Sequence, residues 1–280
     1  MCRFAAYVGP SAPISTLIWD APHGLLDQAS RPLQQRFGRI NVDGTGIAWW
    51  PDGEAEPLRY VTDRPPWSDS NLAFLAPRLH GRLQIAAVRS ASPGIPFGAQ
   101  NVHPFVHEGI AGTHNGFIRG YRGPVGRALL DKLPDDLHAA MGAVSDALAL
   151  FMTALRHLRE DAEGDLAAAA AAAVLEVQAL CAAAGEQTTL NLLLSDGDRI
   201  VATRAAHGAP PNTLYTLRDG ARWPGASLLA SEPLDEDDAW DAVPDGHAAL
   251  LTQGEVTVVA LEELAPGPAP TSSSAPVSRL

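Results

Sequence analysis

The chain has 280 residues, 46% of them hydrophobic, with 20 Lys and Arg against 32 Asp and Glu for a formal charge of −12. That length and apolar content allow a sizeable core, in one large domain or two small ones. The acidic balance argues against nucleic acid and anionic membrane surfaces as partners, because phosphate binding needs clustered Lys and Arg, and two cysteines, Cys2 and Cys181, give no disulfide framework and suit a reducing, cytoplasmic setting.

Residues 1–9 lack the basic start, apolar run and cleavage signal of a secretory leader. They read instead as a strand from Arg3 to Gly9, ended by Pro10, with Cys2 at its head. Removal of Met1 would leave a thiol and a free α-amine on one residue. With pKa values of about 8.5 and about 7.7 to 8.0, the amine can take the thiol proton unaided at neutral pH. Taken alone, Cys2 could equally be an ordinary buried residue of a first strand.

A short helical turn is expected from Ile14 to Trp19. The polar stretch 31–39 leads into Asn41-Val42-Asp43-Gly44-Thr45-Gly46, whose glycines suit a tight turn or a close backbone approach. Ile47–Trp50 and Leu58–Thr62 are expected strands, and Ser68 or Asp69 is placed to cap a helix running to Leu79. The strand Gln84–Val88 delivers Arg89 to its end. After a Pro- and Gly-rich loop comes Asn101-Val102-His103-Pro104-Phe105, then a strand Gly109–Thr113 with His114-Asn115-Gly116 at its exit.

Ser145-Asp146 resembles an N-cap for a helix through Leu158, and an Ala-rich helix covers Leu166–Ala184. Glu176 and Gln178 interrupt that apolar run, so it reads as a soluble helix. Strands return at 189–194, 199–203, 213–217, 227–230, 248–252 and 256–261, with hairpin signals at Asp196-Gly197 and Gly254. Strands, then helices, then strands again predict mostly antiparallel sheets with helices outside them, an α+β arrangement, with the middle helices covering apolar surface on both sides. Residues 265–280, rich in Pro, Ser and Ala, are expected to be a disordered tail after a domain spanning 1–264.

Taken in order, Cys2, Arg89, His114-Asn115-Gly116 and Asp146 resemble the glutaminase domain of the class II glutamine amidotransferases, which are N-terminal nucleophile hydrolases. Met1-Cys2-Arg3, Asn41–Gly46, Pro66–Asp69, Ala87–Gly94, Asn101–Phe105, Leu229–Pro233, Trp240 and Val243-Pro244 narrow the likeness to the ergothioneine-biosynthesis γ-glutamyl amidohydrolase branch. The resemblance implies a four-layer αββα sandwich of two mostly antiparallel sheets between helical layers. It also implies that Cys2 forms a glutamyl thioester, with the Asn115 side-chain amide and the Gly116 N–H as oxyanion donors. Out of context, Asn115-Gly116 reads as a type I′ turn.

The glutamyl α-carboxylate suits Arg89 and the α-ammonium suits Asp146, which could otherwise be only a helix cap. His103 and His114 are expected near the substrate, His103 the nearer. With His107 and Glu108 they do not follow a zinc spacing, and neither a metal nor a cofactor is expected. Two departures from the branch stand out: Thr45 replaces an aromatic residue, which would reshape the pocket, and Ala147-Leu148 replaces a Ser-Glu pair near the ammonium site. Trp67 and Phe105 are candidates for cation–π contact with a trimethylated product.

The resemblance implies an amidohydrolase acting alone on a small γ-glutamyl substrate, γ-glutamyl-hercynylcysteine sulfoxide. The alternatives are another γ-glutamyl conjugate such as a glutathione-type peptide, a glutaminase subunit passing ammonia to a synthase, or a silent binding protein, which intact Cys2, Arg89, Asn115 and Gly116 oppose. No homo-oligomer is predicted, and none is excluded.

Overall fold

In the first strand, β1 (Arg3–Pro13), Phe4, Ala6 and Val8 enter one apolar cluster while Ala5 and Tyr7 enter another. Successive side chains of a strand point to opposite faces, so β1 has apolar layers on both sides and must be interior. The computed structural model, which describes residues 2–92, 94–160 and 164–265, puts it at the centre of a sheet.

Its companions are β2 (Thr45–Trp50), β3 (Leu58–Thr62), β4 (His80–Val88), β5 (Phe105–His107), β6 (Ile110–Ile118), β7 (Thr188–Ser195) and β8 (Ile200–Arg204). After them come β9 (Ala206–His207), β10 (Tyr215–Arg218), β11 (Ser227–Ala230), β12 (Asp241–Ala242), β13 (His247–Thr252) and β14 (Glu255–Ala260). One sheet runs β12-β10-β11-β1-β4-β2-β3 and the other β14-β13-β8-β7-β6-β5, with β9 beside β7. Every pairing among the described strands is antiparallel.

Between the sheets, Phe4, Trp50, Leu83 and Ile85 of the first meet Ala111, Leu193, Ile200 and Leu251 of the second. The second sheet turns Leu190, Leu192, Leu194 and Val201 outward onto α3 (Pro124–Leu130), α5 (Asp146–Glu160) and α6 (Leu166–Ala183), with the short α4 (Asp135–Ala139) between them in sequence. The first sheet turns Ile47, Trp49, Ala86 and Leu228 onto α1 (Leu25–Ser30), α2 (Ser70–Leu75) and the turn Thr16–Asp20. The four-layer αββα architecture is therefore present, but its helical layers are unequal. Both long middle helices cover the second sheet alone, and short pieces cover the first.

Helix α6 is long and apolar enough to cross a membrane by length and composition, yet 50% of it is buried inside the protein. It packs with α5 and the second sheet, as a core helix does. The last short helix, α7 (Leu261–Leu264), joins the same cluster, and residues 266–280 of the expected tail lie outside the described residues.

Several local expectations change. The helix after Asp69 stops at Leu75, although Asp69 does cap it by accepting from Asn71 N and Leu72 N. His114-Asn115-Gly116 is not at a strand exit: β6 runs on to Ile118, with Asn115 opposite Asn191 and Gly116 opposite Leu190. A local turn signal has yielded to a long ladder with β7.

Candidate active site

Strand β1 brings Cys2 to the middle of the structure. Arg3 lies opposite Val88, so the next residue of that neighbour, Arg89, emerges beside Cys2. Along β6, Thr113 and Asn115 share the inward parity of Ala111 and face the same end of the sandwich. Helix α5 starts there too. Its first residue, Asp146, accepts from Ile118 N at 3.0 Å and from Ala147 N at 3.0 Å, which pins the helix to the end of β6.

The result is a narrow cleft of about 20 Å³ lined by Cys2, Arg89, Ser90, Asn101, His103, His114, Gly116 and Asp146, with further wall from Ala91, Ser92, Ile95, Ser145 and Ala147. Six of the seven expected site residues meet in it. The seventh, Asn115, is fully buried behind Cys2. With its amide oriented to satisfy both ends, Asn115 donates to the Cys2 carbonyl at 2.7 Å and accepts from Arg3 at 3.1 Å and Ser231 at 3.3 Å.

Cys2 is 8% exposed, and its sulfur lies 3.3 Å from His103 Nε2. Burial pushes the thiol up, against the pull of Arg89, so it rests protonated at neutral pH. Burial and then Arg89 push His103 down to about 3, so it is neutral, with Thr113 Oγ1 hydrogen-bonded at Nδ1. His114, likewise lowered by burial, donates from Nε2 to the Thr189 carbonyl at 3.1 Å. His107 and Glu108 do not line the cleft, and Glu108 pairs with Arg159.

Two polar atoms in this cleft are buried without a partner among the described residues: Nη1 of Arg89 and Oδ1 of Asn101. The other arm of Arg89 donates to Pro96 O at 3.0 Å, which fixes the guanidinium in place. A free donor on Arg89, with a free acceptor on Asn101 and the Asp146 carboxylate in the same cleft, is the complement of an α-carboxylate and an α-ammonium.

The glycine-rich stretch before β2 holds this assembly. Arg89 N donates to Gly44 O at 2.8 Å, Asp43 N donates to Arg89 O at 3.0 Å, and Asp43 Oδ2 accepts from Ala91 N at 2.7 Å. Gly44 has φ +148°, and a Cβ on Gly46 would stand 2.4 Å from the His103 carbonyl. Of the two uses expected of the glycines, the close approach is realised, since a Cβ on Gly44 would also stand 2.4 Å from the Val102 side chain. Arg59 grips the far side of the same loop by donating to Val102 O and Pro104 O.

Sequence reasoning assigned no role to Arg3. It is 1% exposed, donates to the Cys2 carbonyl at 3.3 Å and faces Glu232 at 2.9 Å. Glu232 in turn meets His23 at 3.1 Å, and His23 meets Asp27 at 2.7 Å. The Leu229–Pro233 stretch therefore serves the site: Ser231 supports Phe4 N and Asn115, and Glu232 compensates the buried arginine.

The expected pocket residues need correction. Thr45 is fully buried, donates to Arg64 O at 2.8 Å and lines neither the cleft nor the chamber beyond it. Ala147 lines the cleft, whereas Leu148 sinks into the helical core. Trp67 faces a different groove with Trp19 and Pro22, and Phe105 packs between His103 and Phe151. The aromatic residues near the site are Phe37, Phe117 and Tyr121. They line a chamber of about 620 Å³ that shares Ala91, Ser92, Ile95 and Asp146 with the Cys2 cleft.

Residues 29–220 match the family model of class-II glutamine amidotransferases. The chain belongs to that family. Among amidotransferase relatives, the gamma-glutamyl-hercynylcysteine sulfoxide hydrolase of Mycobacterium tuberculosis (strain ATCC 25618 / H37Rv) is 34% identical over 96% of this chain and 100% of its own length. The protein of that name from Mycolicibacterium smegmatis is 33% identical over 93% of this chain and 100% of its own. In fold, the chain superimposes with a TM-score of 0.70 at 23% identity on a glutamine aminotransferase class-II domain protein from Silicibacter pomeroyi, over 95% of this chain and 100% of that one. The phosphoribosylpyrophosphate amidotransferase of B. subtilis gives 0.61 at 16% identity, over 93% of this chain and 49% of that one.

Proposed function

We propose that this amidotransferase-family chain, through residues 1–264 as one hydrolase domain, removes glutamate from γ-glutamyl-hercynylcysteine sulfoxide with Cys2 as nucleophile. The observation that carries the reading is the cleft itself, which gathers Cys2, Arg89, Gly116 and Asp146 in one place. The full-length likeness to hydrolases of that substrate supports the same conclusion.

The mechanism follows from the residues present. Arg89, Asn101 and Asp146 hold the zwitterionic end of the glutamyl group and set its γ-carbonyl against Cys2. Once Met1 is removed, the α-amine takes the thiol proton and the sulfur attacks. The oxyanion meets Gly116 N–H and the Asn115 amide, whose second hydrogen is left after its bond to the Cys2 carbonyl. The α-ammonium returns the thiol's proton to the departing nitrogen, the amine leaves, and water, losing its proton to the α-amine, cleaves the thioester to release glutamate and restore the thiol. The thiol must stay reduced for this, and neither Cys2 nor Cys181 is in a disulfide.

The test is glutamate release by the Met1-free protein from γ-glutamyl-hercynylcysteine sulfoxide, glutathione and glutamine in parallel. Clear preference for the first supports the reading. Preference for glutathione moves the substrate and keeps the chemistry. Activity on glutamine alone, raised by a partner synthase, would replace the reading with an ammonia-supplying subunit.

A further inference from the structure

We propose that Arg3 is a positioning residue for the oxyanion site: it holds the carbonyl end of the Asn115 amide, which turns the nitrogen toward Cys2 and strengthens its N–H groups as donors. The proposal rests on the reading of Cys2 as nucleophile and adds a group that acts on the reaction without touching the substrate.

The Asn115 amide has nearly the same outline whichever way it is turned, so shape cannot decide which end faces the nucleophile. Hydrogen bonding decides it. The Arg3 guanidinium can only donate, and the Cys2 carbonyl can only accept. Arg3 Nη1 stands 3.1 Å from one end of the amide, and the Cys2 carbonyl oxygen stands 2.7 Å from the other. Turned over, Asn115 would set donor against donor at the first contact and oxygen against oxygen at the second. Ser231, 3.3 Å from the same end as Arg3, cannot choose, because a hydroxyl serves as donor or acceptor. Its Oγ accepts from Phe4 N at 3.1 Å, which leaves its hydrogen for the Asn115 oxygen that Arg3 has fixed.

A cation at the amide oxygen does more than orient it. It draws electron density from the nitrogen, and linked hydrogen bonds of this charge-assisted kind strengthen one another. The N–H left for the substrate is thereby a better donor, and the gain is larger once the γ-carbonyl oxygen has become an oxyanion than while it is neutral. Loss of Arg3 therefore falls on kcat.

The residues behind Arg3 keep a charge in a place that would otherwise exclude one. Arg3 and Glu232 are each 1% exposed, with Arg3 Nε and Glu232 Oε1 2.9 Å apart. The other oxygen of Glu232 accepts from Leu33 N at 2.7 Å and meets His23 Nε2 at 3.1 Å, so the carboxylate is fixed with Oε1 toward the arginine. An apolar pair of similar volume would fill this space without the cost of desolvating two charges. What the ion pair adds is a directed donor: Arg3 Nη1 reaches both the Cys2 carbonyl, at 3.3 Å, and the Asn115 oxygen.

The test separates catalysis from stability with Arg3→Met combined with Glu232→Leu, which strands no buried charge. With γ-glutamyl-hercynylcysteine sulfoxide or glutathione as substrate, this double variant should lose about tenfold or more in kcat and keep KM within about twofold. Asn115→Ala should lower kcat by about 100-fold or more, the cost of one oxyanion donor. In that background the two substitutions together should change kcat by less than about twofold, because Arg3 then has no amide to act on. Arg3→Lys, which still only donates, should keep more of kcat than Arg3→Gln, whose amide can also accept. Native kcat in the double variant, an equal loss with and without Asn115, or equal kcat in Arg3→Lys and Arg3→Gln overturns the proposal. If the native protein releases no glutamate from either substrate, the nucleophile reading fails separately. Nuclear magnetic resonance of protein isotopically labelled at asparagine nitrogen then decides the role of Arg3. The Asn115 side-chain N–H signals, identified by their loss in Asn115→Ala, should move upfield in Arg3→Gln and stay near their native position in Arg3→Lys. Signals at one position in both variants overturn it.

Discussion

The Cys2 sulfur and His103 Nε2 stand 3.3 Å apart in a cleft where the thiol is raised by burial and the imidazole is held neutral. Lowered to about 3, this ring is a weak base beside the α-amine of a processed Cys2, although both are candidates to take the thiol proton. They predict different phenotypes. With the amine as base, retention of Met1 abolishes turnover without unfolding the protein, while His103→Asn lowers kcat by about 100-fold or less. Cys2→Ala removes turnover altogether. Steady-state kinetics of the three proteins checks this, and a greater loss from His103→Asn than from retained Met1 would assign the proton to the imidazole.

Arg89 presents a buried Nη1 without a partner, held by the bond of its other arm to Pro96 O. Arg89→Ala should therefore act on binding, lowering kcat/KM by about 10- to 100-fold through KM, the worth of one hydrogen bond to a charged group. Arg89→Lys should not restore it, since an ammonium cannot keep both contacts. A fall in kcat with unchanged KM would contradict the assignment.

Gly116 is required by space. A Cβ there would stand 1.8 Å from the Thr189 carbonyl and 2.6 Å from His114 Nε2, so β6 and β7 could not stay paired. Gly116→Ala is expected to destabilise the protein by about 2–4 kcal/mol, visible as a lower melting temperature and lost activity together. Unchanged melting would mean that the ladder adjusts.

Arg3 and Glu232 are each 1% exposed, and breaking such a pair strands a charge. Glu232→Leu alone should cost about 3–5 kcal/mol, and Arg3→Met added to it should recover much of that. Thermal melts of the single and double variants check the sign, and an additive double variant would count against the pairing.

Two histidines should shape stability against pH in opposite directions. Burial alone would lower His23, but its bonds to Glu232 and Asp27 prevail and raise it above the ordinary 6.5. Its contribution is full below 6.5 and fades as pH rises through the higher folded value. His103, lowered to about 3, is the reverse: its neutral burial favours the fold above 6.5, and that advantage is lost as pH falls toward 3. His23→Gln should flatten the alkaline side of a melting-temperature profile and His103→Gln the acid side. A profile unchanged by either substitution would contradict the scheme.

Much of the site was legible because its chemistry sits in short contiguous runs. Cys2, Arg89, His103, His114, Gly116 and Asp146 each fall in a motif readable in one dimension, and strand alternation alone places β1 between two apolar layers. Asn115-Gly116 was ambiguous locally, since the same pair makes turns, and only the partner strand β7 decides that it lies mid-ladder. Arg3 could not be read because its partner, Glu232, is distant in sequence and meets it only after β11 has docked on β1. The chamber was the least legible part. Phe37, Ile95, Phe117, Tyr121 and Asp146 come from separate segments, and no segment alone looks like a pocket.

The clamping of β1 sets a deadline on maturation. Arg3 pairs with Val88 on one side and Ala5 with Ala230 on the other, and Cys2 retains only 8% of its exposure. On the Cys2 nucleophile reading, a methionine aminopeptidase would act before these two ladders close around Cys2, and the active fraction of a preparation would record how fast trimming ran against folding.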